Sequence, residues 1–345
     1  MLIEDLRDGD SIYNMDLLIF DVSKRVATSG KDYLHFVFQD STGNIEANKW
    51  EIVPDDVNKF KKGAIVKVTG EVLLYRTAYQ IKIKSMELNR DSSALSSLLQ
   101  QAPFSEDFLK KKLDVYLNSI KDEDIYTLTK ALIDEYYSAY VSYPAATKNH
   151  HAYMRGLLHH SLTMADTALY LCSIYKSLNR DLLLAGALIH DLGKTQEFSS
   201  VSAPEYTLEG KLCGHISIGF AELRRIAREL GYFDIDKPDL DVDKEEIKRL
   251  EVKKEKAIIL GHMILSHHDL PEYGSPVRPL TREAYALSCI DDFDAKMQIL
   301  DKAFKTVTPG DMTEKLFSMD DRRFYLPSFE ESEKDPAGLD DLKIS

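Results

Sequence analysis

The sequence predicts a two-part protein, with an all-β N-terminal region followed by an all-α remainder. Three observations carry that reading. Apolar residues alternate with period two through residues 11–88, the periodicity of strands that are buried on one face. From residue 104 onward they recur at the 3.6-residue spacing of amphipathic helices. Nine of the ten histidines fall between His150 and His268, all inside the helical part. A chain of 345 residues is long enough to bury two cores.

The opening strand centres on residues 17–22. The run Tyr33-Leu34-His35-Phe36-Val37-Phe38 forms the second, ending in the turn residues Gln39-Asp40-Ser41-Thr42-Gly43-Asn44, and Ile45-Glu46-Ala47-Asn48-Lys49-Trp50 forms the third. A short helical piece at residues 54–60 precedes a last pair, 64–72 and 79–84, flanking a bend at Tyr75-Arg76-Thr77. Five strands with one helical piece between the third and fourth resemble the OB-fold, a small Greek-key barrel, in its nucleic-acid-binding form. On that resemblance Lys24, Arg25, Lys49, Arg76 and Lys82, together with Lys31 and Lys84, are expected to meet phosphates. Tyr33 and Trp50, with Phe36, Tyr75 and Tyr79, would serve as stacking platforms or as core. A barrel this small needs large residues inside it, so packing is the commoner fate of each aromatic. Acids nearly balance bases in this region, so the binding expectation rests on the fold rather than on charge.

Residues 91–103, rich in Ser and Gln, read as a linker. This divides the chain into a barrel domain at 1–90, the linker at 91–103, a helical domain at 104–329 and an acidic tail at 330–345. Helices are expected over 104–119, 122–140, 157–175, 181–190, 216–230, 251–267 and 281–304, with stops such as Gly231 and Pro271. A net charge of −13 excludes a protein that coats nucleic acid by bulk electrostatics, though not one with a local basic groove. Much of the acid lies in 234–251 and 330–341, which read as solvated surface. Cys172, Cys213 and Cys289 stand far apart, so neither a disulfide framework nor a thiolate metal cluster is indicated. No apolar run is long enough to span a bilayer, and Met1-Leu2-Ile3-Glu4-Asp5 lacks the basic and apolar regions of a signal peptide. The expected compartment is the cytoplasm, with no membrane partner.

Chemistry concentrates at Ala187-Leu188-Ile189-His190-Asp191-Leu192-Gly193-Lys194. Residues 182–189 are apolar all round, a helix buried on every side, and it stops at an adjacent imidazole and carboxylate. A buried unpaired carboxylate costs several kcal/mol, so Asp191 requires either a salt bridge or a metal ion. Of His159 and His160, one must share the apolar stripe of Ala165, Ala168 and Cys172, and His160 is the choice. His215 follows Gly214 at a helix start, and the apolar stretch 257–265 runs into His267-His268-Asp269. Leu287, Asp291 and Asp294 share one helix face. Any single histidine in this set is an ordinary residue, and only the constellation points to a metal site.

The order His160, His190-Asp191, His215, His267-His268, Asp291 resembles the HD-domain superfamily of metal-dependent phosphohydrolases in its two-metal branch, over residues 150–295. The resemblance implies a first ion on His160, His190, Asp191 and Asp291. Asp191 would bridge to a second ion on His215 and on His267 or His268, and Lys194 would contact substrate phosphate. Many members carry a glutamate where His159 stands, which argues against a third ion. An OB-like barrel joined to an HD domain is similar to one family in particular, the YhaM-type 3′-5′ exoribonucleases. Lys148-Asn149-His150-His151, Glu272-Tyr273-Gly274-Ser275-Pro276 and Arg323-Phe324-Tyr325 belong to that likeness. It implies release of nucleoside 5′-monophosphates from single-stranded RNA, with single-stranded DNA a second option, and His150 and His151 lining the path. Histidine and carboxylate donors suit Mn²⁺, Fe²⁺ or Zn²⁺ better than Ca²⁺, and the family implies Mn²⁺, with Mg²⁺ also admissible. Two other classes stay open at this point: an HD phosphohydrolase of free nucleotides or cyclic dinucleotides, and a single-strand binder without catalysis. Self-association is compatible with all three.

Overall fold

The structure, a computed structural model, describes residues 1–75, 78–91, 94–146, 153–201, 204–237, 240 and 242–329. Arg76, His150, His151 and the acidic tail lie outside the described residues. Contacts divide the chain into two compact units, Met1–Gln101 with Ser200–Glu205, and Ala102–Ser199 with Tyr206–Ser345.

The first unit is a closed barrel of β1 (Ser11–Val26), β2 (Asp32–Gln39), β3 (Asn44–Lys49), β4 (Ile65–Tyr75) and β5 (Ala78–Leu88) in the order β1-β2-β3-β5-β4. The helix α1 (Asp56–Lys59) lies between β3 and β4. Closure depends on the length of β1, whose first half pairs with β4 and whose second half pairs with β2. Leu17, Ile19, Leu34, Phe36, Phe38, Ala47, Val66, Val68 and Ile81 fill the interior, and Phe36 stacks on Phe38 at 5.2 Å. Phe36 is therefore core and no stacking platform. β1 begins six residues before the expected strand. Asn14 adopts φ +48° and the β1–β4 register shifts between Ile12 and Met15, a bulge that breaks the alternation on which a period-two reading depends.

The described residues of the stretch 91–103 include a short helix. This is α2 (Leu95–Leu98), which packs on β1, and Leu98 and Leu99 are buried. Two leucines within a Ser-rich run suffice to anchor it.

The second unit contains α3 (Glu106–Asn118), α4 (Glu123–Tyr140), α5 (Gly156–Ile174), α6 (Arg180–Ile189), α7 (Lys194–Glu197), α8 (Leu208–Glu229), α9 (Lys244–Ser266) and α10 (Arg282–Phe304). Every residue of α6 from Leu182 to Ile189 is buried, against α4, α5, α9 and α10. Each buried leucine or isoleucine is worth ~1.5–3 kcal/mol, so the others pack around α6 and its C-terminal end is fixed. α9 starts seven residues before the apolar periodicity does. Asp243 caps it by accepting from Glu246 N at 2.9 Å, and the charged first turns face solvent. Part of the acidic stretch 234–251 is thus helix. Among the described residues, no helix is long and apolar enough to cross a membrane.

Candidate metal centre

Helix ends bring the functional side chains to one point. His190 is the C-cap of α6 and His267 the C-cap of α9. The last carbonyls of a helix lack intrahelical donors. Each ring turns back to supply one: His190 Nδ1–H donates to Ala187 O at 3.1 Å, and His267 Nδ1–H donates to Ile264 O at 2.7 Å. A carbonyl only accepts, so the proton sits on Nδ1 and the Nε2 lone pair points away from the helix. His268 does the same with Tyr273 O at 2.8 Å.

α5 contributes His160, whose Nδ1 donates to Asp294 Oδ2 at 2.7 Å. Asp294 and Asp291 stand one turn apart on the buried face of α10. His215 owes its position to two glycines. Gly214, with φ +71° and ψ 156°, breaks α8 in a conformation that is essentially glycine's alone. Gly193 allows the start of α7 to touch α8, since a Cβ there would lie 2.0 Å from His215 O and 2.7 Å from Gly219 N.

The outcome is two clusters sharing Asp191. On one side His160 Nε2 lies 3.2 Å from His190 Nε2, 3.3 Å from Asp291 Oδ1 and 3.6 Å from Asp191 Oδ2. His190 Nε2 is 3.4 Å from Asp191 Oδ2. On the other side Asp191 Oδ1 is 3.3 Å from His215 Nε2 and 3.7 Å from His267 Nε2, while His268 Nε2 is 3.7 Å from Asp291 Oδ2. Ligand atoms held ~2.0–2.2 Å from one ion stand roughly 3.0–3.5 Å apart, close to these separations. Asp191 Oδ1, His215 Nε2 and His267 Nε2 are buried without a hydrogen-bond partner. Buried polar atoms are almost always satisfied, so three orphans facing one point fit a cation between them. The groups His160/His190/Asp291, His190/Asp191/His267 and His215/His267/His268 each could hold an ion.

Electrostatics agree. Burial opposes charge on Asp191, but Lys194, His190 and His215 outweigh it and hold the carboxyl well below its usual range. Burial would also neutralise His160, yet its hydrogen bonds to Asp291 and Asp294 prevail and raise it to about 10. Protein groups alone thus meet the carboxylates with a proton where a cation would supply the same charge. Burial, helped by the His268 and His190 rings, keeps His267 well below the imidazole range and therefore neutral. Asp191, Asp291, Asp294 and Glu197 are all buried, and Lys194 is the one buried ammonium among them, its Nζ 2.6 Å from Asp191 Oδ2. With the His160 proton also counted, two negative charges remain uncompensated, which burial makes costly.

His160, His190, Asp191, Lys194, His215, His267, His268 and Asp291 are thus gathered together. His159 instead bonds Tyr153 through Nδ1 at 2.6 Å, and His262 Nε2 accepts from Leu280 N at 2.9 Å. Glu197, whose Oε1 lies 3.4 Å from His215 Nδ1, escaped the sequence reading because an acid ending a four-residue helix has no distinguishing pattern.

In the barrel, Tyr33 stacks on Trp50 at 4.5 Å, and Trp50 is half exposed. Lys24, Lys31 and Trp50 line an open cleft of about 710 Å³. Tyr75, Tyr79 and Lys82 are exposed, and Arg25 Nε donates to Ser23 Oγ at 3.2 Å. Lys49 Nζ lies 2.6 Å from buried Asp56 and donates to Glu51 O, which ties it to α1.

A five-stranded closed barrel and a helical domain gathering five imidazoles and two aspartates define a metal-dependent HD-domain hydrolase carrying a nucleic-acid-binding module. Family comparisons agree, an HD domain matching residues 157–296 and an OB-fold nucleic acid binding domain matching residues 19–89. The 3′-5′ exoribonuclease YhaM of Geobacillus sp. (strain WCH70) is 39% identical over 315 residues, 91% of each chain. The chain belongs to the YhaM-type 3′-5′ exoribonuclease family. Among solved structures, the second OB-fold domain of replication protein A from Methanococcus maripaludis is 20% identical, covering 27% of this chain and 96% of that one with a TM-score of 0.22.

Proposed function

We propose that the chain is a cytoplasmic 3′-5′ exoribonuclease that hydrolyses single-stranded RNA to nucleoside 5′-monophosphates at a centre of two divalent ions, Mn²⁺ by preference. The observation that carries this is the division of Asp191, whose Oδ2 faces His160 and His190 while its Oδ1 faces His215 and His267. His160, His190, Asp191 and Asp291 would hold one ion, and Asp191, His215, His267 and His268 the other. Both members of the His267-His268 pair are assigned, because both rings are tethered through Nδ1 and both present Nε2. Bound there, the ions would lower the pKa of water and neutralise phosphate charge.

The protein's own groups define the direction of approach. The His160, His190, Asp191 and His267 side chains are at most 2% exposed, whereas His215 is 14% and His268 27% exposed. Phosphate therefore enters from the His215–His268 side. Burial disfavours the Lys194 ammonium, but Asp191 raises its pKa further and keeps it charged, so it can neutralise developing phosphate charge. The barrel, with Trp50 on Tyr33 beside Lys24 and Lys31, supports capture of the upstream strand by stacking and charge.

The test is to incubate the protein with Mn²⁺ and 5′-labelled single-stranded RNA, in parallel with nucleoside triphosphates and a cyclic dinucleotide. A descending ladder of labelled products with accumulating 5′-monophosphates, abolished by chelator, is expected. Turnover of the small substrates with RNA intact contradicts the proposal in favour of a nucleotide phosphohydrolase. Tight RNA binding without turnover contradicts it in favour of a binding protein.

A further inference from the structure

We propose that Glu197 is the positioning residue of the second cluster, the group that holds His215 in the orientation from which it takes an ion. The inference rests on the two-ion reading above. Glu197 is buried, and its Oε1 faces two donors of one residue, the His215 backbone N–H at 3.0 Å and the ring Nδ1 at 3.4 Å. The backbone bond serves α8 where the helix restarts after the Gly214 kink, a point at which an N–H has no helical acceptor. The ring bond assigns the proton to Nδ1, because a carboxylate only accepts, and leaves Nε2 open toward Asp191 Oδ1 at 3.3 Å.

The backbone of Glu197 is built into the same joint. Its carbonyl accepts from Thr207 N at 2.9 Å and abuts Gly210, where a Cβ would lie 2.4 Å from it. One residue thus sets both the start of α8 and the ring that follows the kink.

Comparison of the five imidazoles singles out the carboxylate. His190, His267 and His268 are tethered to neutral carbonyls. Among the described residues, two have a carboxylate behind them, one in each cluster: Asp294 behind His160 and Glu197 behind His215. A carboxylate behind a ligating imidazole fixes the tautomer and makes Nε2 a stronger donor, an effect worth about 10–100-fold in metal affinity. Glu197 therefore governs occupancy of the second position, as Asp294 governs that of the first.

The experiment compares wild type, Glu197→Gln, Glu197→Ala and Asp294→Ala. The readouts are bound Mn²⁺ per chain, stepwise affinities by calorimetry and the visible spectrum of the Co²⁺-loaded protein. Wild type should bind about two ions. Glu197→Ala should weaken one of them about 10–100-fold and leave the other unchanged, and Asp294→Ala should weaken the other one. Glu197→Gln keeps an oxygen that accepts both N–H groups, so it should lose less affinity than Glu197→Ala and restore the Co²⁺ spectrum. Should Glu197→Ala fail to fold, the isosteric Gln variant carries the test, and wild-type affinities for both ions in it overturn the proposal. Loss of both ions from a folded Glu197→Ala variant also overturns it. A wild type binding fewer than two ions refutes the two-ion reading instead.

Discussion

Replacing Gly193 with alanine should disable the second cluster while sparing the first. A Cβ at this position would stand 2.0 Å from the His215 carbonyl oxygen and 2.7 Å from Gly219 N, where ordinary contact begins at 3.4 Å. The obstructing atoms are backbone, so no side chain can swing aside, and α7 and α8 must part by about 1.4 Å along that line. His215 Nε2 is only 3.3 Å from Asp191 Oδ1, so a shift of that size removes it from the second cluster. Misplacing a reacting group by ~1 Å costs on the order of 10²-fold in rate. Overpacking of this kind destabilises by about 1–3 kcal/mol, so the domain should still fold. The expected variant has near-native circular dichroism, one tightly bound ion per chain and kcat lowered about 10²-fold on a short single-stranded RNA. Two tightly bound ions with wild-type turnover would show that the contact between α7 and α8 does not place His215, and the reasoning would fall.

Asp191→Asn should remove most bound metal from both positions and nearly all turnover, with helical content retained; unchanged turnover would reduce Asp191 to a structural acid. Gly214→Ala meets no atom within 4 Å, so any loss must come from its backbone conformation, with an expected cost of about 1–3 kcal/mol in denaturant unfolding; wild-type stability would refute the strain assigned to that kink. Trp50→Ala should weaken binding to long single strands by about 1–3 kcal/mol, roughly 5–150-fold in Kd, without slowing hydrolysis of a short phosphodiester. Equal losses in both assays would assign the barrel a supporting role only. In Asp56, burial raises the carboxyl pKa but Lys49 and Val53 N–H more than offset it, placing the folded value below 3.8. Its stabilisation is therefore present above pH 3.8 and lost as the pH falls through the folded value. Denaturant unfolding at a series of pH values should show Asp56→Asn removing that part of the acid dependence, and parallel profiles would refute it.

What could be read from the residues depended on whether local pattern or chain path decided the outcome. Strand β4 alternates through 66–72 and β5 through 79–84, and α6 is apolar from Leu182 to Ile189, so these segments announce themselves. His190-Asp191 at the end of that apolar run, and His267-His268 at the end of another, mark the points where helix termini meet. The bulge at Asn14 concealed the first third of β1, and solvent-facing charge concealed the first turns of α9. The kink at Gly214 hid the start of α8, since 208–214 and 215–229 do not share one helical phase. Glu197 and the pairing of Lys49 with Asp56 depend on contacts between elements, which no periodicity encodes.

The central claim is that one carboxylate, that of Asp191, carries an ion on each oxygen. Anomalous diffraction from Mn²⁺-loaded crystals tests it most directly. Two peaks flanking Asp191 are expected, one within bonding distance of His160 and His190 Nε2 and Asp291, the other of His215, His267 and His268 Nε2. A single peak, or peaks elsewhere with the Lys194–Asp191 pair undisturbed, would contradict it.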